Sequence, residues 1–107
     1  MKKYMFLFVG GVANPNKEEG TNQWKTWIGN IVQTGKLDSG DAFVPQGKRI
    51  SGAMNIADYD GTEANATSGY LIVKTDTLDE ASALVKDCPI LAEGGTVEVR
   101  ELAGMTM

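Results

Sequence analysis

The chain has 107 residues, of which 42% are hydrophobic and 22% are charged, and its formal net charge is −4. This length supports one domain with a modest core, and the acidic balance argues against a nucleic-acid partner, which normally requires a basic surface. Histidine is absent, so the chain lacks the side chain best suited to proton transfer near neutral pH and the commonest nitrogen ligand for metals. We therefore predict neither a metal site nor a cofactor.

The first two predicted elements are a central strand and an amphipathic helix. Every residue from Tyr4 to Val9 is apolar, which is typical of a strand covered on both faces. A loop is expected from Gly10 to Asn16, and apolar residues then recur at the spacing of one helical face. These residues are Trp24, Trp27, Ile28, Ile31 and Val32. Asn16 is a candidate N-cap and Lys17-Glu18-Glu19 would open the polar face, whereas Gly20 and Thr21 favour a later start of the regular helix, near Thr21. The helix is predicted to end before Gly35, a residue type that favours helix C-termini.

The middle of the chain is predicted to be extended. Short extended pieces run from Leu37 to Gly47 and are interrupted by glycine and proline. A strand with one apolar face is predicted from Arg49 to Ala57, because Ile50 and Ile56 alternate there with polar residues. The polar stretch from Asp58 to Gly69 is predicted to be a loop.

The second half repeats the order of strand and helix and ends in another strand. Tyr70 to Val73 is a second apolar run and a candidate central strand. The segment from Thr77 to Glu80 matches a capping box at the start of a helix, which is expected to end before Pro89. A last strand is predicted from Val97 to Arg100, and residues 103–107 are expected to be a loose tail.

This order of elements predicts an α+β domain over residues 1–102, most economically the ferredoxin-like split βαβ with an antiparallel sheet. Two helices cover only one face of such a sheet, whereas Tyr4–Val9 and Tyr70–Val73 are apolar on both faces. Monomers rarely leave so large an apolar face uncovered. We therefore predict a homodimer in which two sheets pack face to face.

Several sequence blocks are similar to those of a known family. In chain order they include the Tyr-Met-Phe-Leu-Phe strand, Trp24-x-x-Trp27, Gly35-Lys36-Leu37, Gly69-Tyr70-Leu71-Ile72-Val73, Thr77-Leu78-Asp79-Glu80-Ala81, Cys88-Pro89 and Gly95-Thr96-Val97-Glu98-Val99-Arg100. Their order and spacing resemble the YCII-related, DGPF-type proteins, small members of the dimeric α/β-barrel superfamily. The resemblance implies a ferredoxin-like subunit whose sheet packs against a partner's sheet to form a dimeric α/β barrel.

The sequence departs from this family at two points. The family loop usually reads Asp-Gly-Pro-Phe, whereas this chain has Asp60-Gly61-Thr62-Glu63. Some relatives carry a His–Asp pair proposed for acid–base chemistry, and this chain has no histidine. Of the candidate functional residues of the family, the resemblance therefore carries over only the loop aspartate, Asp60.

Three residues are candidates for catalysis. Asp60 would be a general base, Arg49 a clamp for an anionic group, and Tyr70 a proton donor. Each has a structural alternative: Asp60-Gly61 suits a solvated turn, Arg49 suits a surface ion pair, and Tyr70 suits packing in a central strand.

Four aromatic residues are candidates for ligand binding. Trp24 and Trp27, with Tyr4 and Phe6 on the first strand, would line an apolar pocket between the first helix and the sheet. In the alternative interpretation they form the core, because aromatic residues at helical spacing usually face a sheet.

Three functions stay open at this point. The first is a dimeric module that binds a small, partly apolar molecule in a cleft beside the sheet. The second is a cofactor-free enzyme for proton abstraction or elimination on a small organic acid, and the third is a structural assembly module.

No apolar run approaches the roughly 20 residues of a spanning helix, so no membrane partner is expected. The single cysteine, Cys88, and the absence of a complete export signal predict a cytoplasmic protein.

Overall fold

The computed structural model describes residues 1–10, 17–44, 46–59 and 66–104, and for residues 17–19 the backbone alone. In chain order, the elements are β1 (Lys2–Val9), α1 (Lys17–Gln33), β2 (Leu37–Ala42), β3 (Gly47–Ser51), β4 (Asn55–Tyr59), β5 (Thr67–Thr75), α2 (Leu78–Ala83), α3 (Pro89–Ala92) and β6 (Thr96–Glu101). Within the expected Gly10–Asn16 loop, the expected Asp58–Gly69 loop and the expected tail, residues 11–16, 60–65 and 105–107 lie outside the described residues.

The main sheet has four strands in the order β2-β5-β1-β6, and every neighbouring pair is antiparallel. The helix α1 connects β1 to β2, and the helices α2 and α3 connect β5 to β6. Each helical connection therefore joins two strands that have a third strand between them, which is the split βαβ arrangement. The predicted α+β class and ferredoxin-like antiparallel sheet are confirmed.

The core lies between this sheet and the helices. Alternate residues Tyr4, Phe6 and Phe8 of β1 are buried, as are Leu71 and Val73 of β5. The helices contribute Trp27, Ile31, Ala81 and Ile90, and Val85 packs there from the turn after α2. Because side chains of a strand alternate between faces, the residues between these buried positions point away from the helices.

The helix boundaries agree with the sequence prediction in part. The helix α1 begins at Lys17, which is the earlier of the two predicted starts and not the one near Thr21. The second helix, expected to be stopped by Asp87-Cys88-Pro89, already ends at Ala83, and the chain turns before the short helix α3 begins at Pro89. The predicted Thr77 cap is confirmed, because its side chain accepts a hydrogen bond of 3.2 Å from the backbone N–H of Glu80. In return the Glu80 carboxylate accepts from the backbone N–H of Asp76 at 3.3 Å, one residue before the position expected for a capping box.

The segment predicted as one strand from Arg49 to Ala57 is instead a β-hairpin. The strands β3 and β4 form a separate two-stranded antiparallel sheet, in which Ile50 lies directly opposite Ile56. Gly52 has a φ of +75°, a left-handed conformation that glycine adopts without steric cost and that lets the chain reverse. The predicted alternation is retained, so Ile50 and Ile56 share one face of the hairpin.

Candidate functional site

The sheet face opposite the helices, here called the open face, carries apolar side chains of the two central strands. Met5 and Leu7 of β1 lie directly opposite Ile72 and Tyr70 of β5, and all four are half-buried within the single chain. Val9 continues the row along β1. These residues form the apolar second face that the sequence predicted.

Charged residues border the open face at one end. The Asp38 carboxylate of β2 forms ion pairs with Lys74 of β5 at 3.3 Å and with Lys3 of β1 at 3.6 Å. Hydrogen bonding from Lys74, together with the nearby charge of Lys3, holds the pKa of Asp38 below its ordinary value. Along β6, Arg100 lies beside Met5 and extends the charged border to the other edge of the sheet.

Two of the three candidate catalytic residues, Tyr70 and Arg49, lie in different sheets. Tyr70 lies on the open face, where its ring is 6.0 Å from that of Phe43. Arg49 belongs to the hairpin, and its guanidinium lies over the ring of Tyr59 at 5.0 Å. Asp60 lies outside the described residues. The catalytic assignment of these residues stays a prediction.

The four candidate ligand-binding residues lie between α1 and the sheet. Tyr4, Phe6 and Trp27 are buried, and Trp24 is half-buried against them. The Trp27 ring is 6.4 Å from the Phe6 ring and 5.9 Å from the Phe8 ring, and its indole N–H donates a hydrogen bond of 3.0 Å to the Leu84 carbonyl. These contacts agree with the interpretation of the four residues as hydrophobic core, because aromatic side chains fill the space between α1 and the sheet.

The Tyr4 phenol is a polar group of a buried residue in this aromatic layer between α1 and the sheet. Its hydroxyl lies 3.4 Å from a carboxylate oxygen of Glu101, to which it donates a hydrogen bond. Burial, reinforced by the negative charge of Glu101, raises the pKa of Tyr4, so the phenol stays protonated at neutral pH.

An open groove of about 900 Å³ runs between α1 and α3, on the helical side of the molecule. Its α1 side is formed by Asn22, Gln23, Thr26, Trp27 and Asn30, and its other side by Lys86, Asp87, Cys88, Pro89, Leu91 and Ala92. We name this feature the α1–α3 groove. Trp27 is the one predicted ligand-binding residue that lines it.

Sequence reasoning missed the polar wall of this groove, although its signal was present. Asn22, Thr26 and Asn30 are spaced four residues apart and therefore form one row along a helix. All three are exposed, and their uncharged amide or hydroxyl groups can donate and accept hydrogen bonds. Asparagine and threonine are weak helix formers, so helix stability does not account for this row.

Cys88 is the only thiol and lies beneath the groove. Its side chain is buried, with 3% exposure, and burial raises its pKa to about 11. A thiol in this state is a poor nucleophile at neutral pH. The described ranges also contain no group of three or more Cys, Asp and Glu side chains placed to hold a metal ion.

Comparisons with known proteins identify a family and nothing more specific. No curated protein matches the chain. Within the described ranges, none of the helices combines the length and hydropathy that membrane crossing requires. Residues 14–106, most of the chain, match the YCII-related domain. Together with the ferredoxin-like sheet, this match shows that the chain belongs to the YCII-related family.

Proposed function

We propose that the protein is a homodimeric module that binds a small, partly apolar molecule, and that the α1–α3 groove is the cleft that holds it. One observation carries this proposal: the groove is about 900 Å³ in volume, and its walls combine apolar surface with polar groups. Binding sites for small molecules commonly span about 300–1,000 Å³ and combine apolar surface with a few polar groups.

The two walls define the chemistry of the ligand. Leu91, Ala92 and Pro89 supply apolar surface on the α3 side. Thr26 and Asn30 on the α1 side supply groups that both donate and accept hydrogen bonds. The favoured ligand is a small molecule with an apolar body and a hydroxyl or amide group, which Lys86 and Asp87 on the same side as α3 also border.

The dimer is proposed from the open face. Met5, Leu7, Tyr70 and Ile72 form a contiguous apolar row. Full burial of an exposed apolar side chain contributes about 1.5–3 kcal/mol, and these half-buried side chains gain the remaining part of it in an interface. A second copy that packs its own open face on this one covers both rows at once, through a two-fold axis. This arrangement leaves the α1–α3 groove, which lies on the helical side, accessible in both protomers.

A pair of threonine variants tests the ligand site. Thr26 lines the groove, whereas Thr21 is exposed on α1 outside it. Thr26→Phe fills the groove, and Thr21→Phe adds the same side chain elsewhere on the same helix. The probe is benzyl alcohol, titrated into isotope-labelled protein while backbone amide shifts are followed by NMR.

We expect saturable shifts at the amides of Thr26, Asn30 and Leu91 in the unmodified chain. These shifts should be lost in the Thr26→Phe variant and retained in the Thr21→Phe variant. The proposal fails if the probe produces no saturable shift at the groove, or if Thr26→Phe binds it as the unmodified chain does.

The cytoplasmic location is likewise proposed. It is supported by the single cysteine of the chain, since Cys88 is buried as a free thiol and has no second cysteine to pair with. The cytosol keeps such thiols reduced.

A further inference from the structure

The polar row on α1, formed by Asn22, Thr26 and Asn30, borders the α1–α3 groove along one side. All three residues are exposed and line the groove. Within the described parts of the chain, none of their side chains makes a hydrogen bond. Each amide or hydroxyl group can both donate and accept, so the row offers hydrogen-bonding capacity that the fold itself does not use.

The spacing of this polar row matches the repeat of an extended polypeptide. Each step of four residues advances about 6 Å along an α-helix, because the rise is about 1.5 Å per residue. In an extended chain, the N–H and C=O groups of every second residue point to the same side, and two residues advance about 6.6 Å. The row spans about 12 Å and therefore fits the backbone edge of a segment of about four or five residues.

The other side of the groove supplies the remaining contacts that such a segment needs. Pro89, Leu91 and Ala92 present apolar surface there, and Lys86 and Asp87 present one donor group and one acceptor group. When proteins bind extended peptides, main-chain hydrogen bonds commonly provide affinity, and contacts with alternate side chains provide specificity. The groove combines both kinds of contact in a volume of about 900 Å³.

We propose that the α1–α3 groove binds an extended peptide segment, whose backbone N–H and C=O groups pair with the polar row on α1. This inference rests on the proposed function and names the class of its ligand, a short peptide with apolar side chains at alternate positions. Asn22 and Asn30 contribute most, because each carboxamide can donate to a backbone carbonyl and accept from a backbone N–H at the same time. Lys86 and Asp87 carry opposite charges, so the groove does not select a strongly charged peptide.

A pair of peptides tests whether the backbone is what the groove recognises. The probe is the blocked tetrapeptide N-acetyl-Ala-Leu-Ala-Leu-amide, and its control is the same peptide methylated at every backbone nitrogen. Methylation removes the N–H donors but keeps the side chains and the carbonyl groups. Each peptide is titrated into isotope-labelled protein while the side-chain amide signals of Asn22 and Asn30 are followed by NMR. We expect saturable shifts with the probe and binding weaker by about tenfold or more with the methylated control.

A pair of α1 variants tests the same inference on the protein. Asn30→Ala removes a carboxamide from the row, and alanine favours the helix, so a loss of binding would not reflect a loss of folding. Gln33→Ala is the matched control, because Gln33 is exposed on α1 outside the groove. Asn30→Ala should weaken binding of the tetrapeptide by about tenfold, whereas Gln33→Ala should leave it within about twofold.

Benzyl alcohol distinguishes a failure of this inference from a failure of the proposed function. The peptide inference alone fails if the alcohol shifts the groove amides but the tetrapeptide binds no more tightly than its methylated form. It also fails alone if the alcohol binds and Asn30→Ala leaves the affinity for the tetrapeptide unchanged. If neither probe produces saturable shifts at the groove, the proposed ligand site and the peptide inference fail together.

Discussion

Substitution of Trp27 tests whether the aromatic side chains between α1 and the sheet form the hydrophobic core or line a ligand pocket. Replacing it by Phe removes the indole N–H that donates to the Leu84 carbonyl at 3.0 Å, a hydrogen bond worth about 0.5–1.5 kcal/mol. The smaller ring also loses part of its packing against Phe6, Phe8 and Trp24, whose ring centroids lie between 5.7 and 6.4 Å away. Aromatic pairs contribute about 0.5–1.5 kcal/mol each beyond burial. We therefore expect the free energy of unfolding to fall by about 2–3 kcal/mol.

The assay for Trp27→Phe is thermal and urea unfolding monitored by circular dichroism. A loss of this size corresponds to a fall in Tm of about 8–15 °C for a domain of this length. Trp24→Phe is the matched control, because Trp24 is half-buried and should cost about 1 kcal/mol or less. A Trp27→Phe variant whose Tm stays within about 2 °C of the unmodified chain would refute the core assignment of Trp27.

Three further predictions concern an ion pair, the thiol and a close backbone approach. Because hydrogen bonding from Lys74 lowers the pKa of Asp38 from its ordinary value of 3.8, its carboxylate stabilises the fold at neutral pH. This contribution is lost as the pH falls below that value, so Asp38→Asn should lower Tm at neutral pH but match the unmodified chain in strong acid. With its pKa raised to about 11 from 9.0, native Cys88 should present about a hundredfold less thiolate at mildly alkaline pH than an ordinary thiol, and its labelling by Ellman's reagent should become fast only in denaturant. A Cβ added at Gly69 would lie 2.7 Å from a backbone oxygen of β2, so Gly69→Ala should cost about 1–3 kcal/mol in urea unfolding. Gly47→Ala, where the nearest atom is 3.9 Å away, should change stability by no more than about 0.5 kcal/mol.

The main sheet could be predicted because its central strands carry their own signal. Tyr4–Val9 and Tyr70–Val73 are unbroken apolar runs, which are typical of central strands. The helix α1 was equally visible from its apolar spacing, and α2 from the Thr77 cap. These signals are local, so the order of elements and the ferredoxin-like class follow from the sequence without knowledge of distant contacts.

The hairpin and the groove were missed for different physical reasons. Residues 49–57 alternate like one strand, and alternation is preserved when a chain reverses at a glycine such as Gly52, so periodicity alone cannot separate the two cases. The walls of the α1–α3 groove come from segments far apart in the chain; Trp27 and its hydrogen-bond partner Leu84 are 57 positions apart. Local patterns reveal the polar row on α1, but only the tertiary packing of α1 beside α3 turns that row into the wall of a cleft.

The central claim is that the open face is covered by a second copy of the chain. Multi-angle light scattering, coupled to size-exclusion chromatography at micromolar concentration, measures this most directly. The account predicts a mass twice the 11.5 kDa of the chain. It also predicts that Leu7→Lys, which puts a charge in the middle of the open face beside Glu98, converts the protein to a folded monomer. A mass of 11.5 kDa for the unmodified chain throughout the concentration range would contradict the claim.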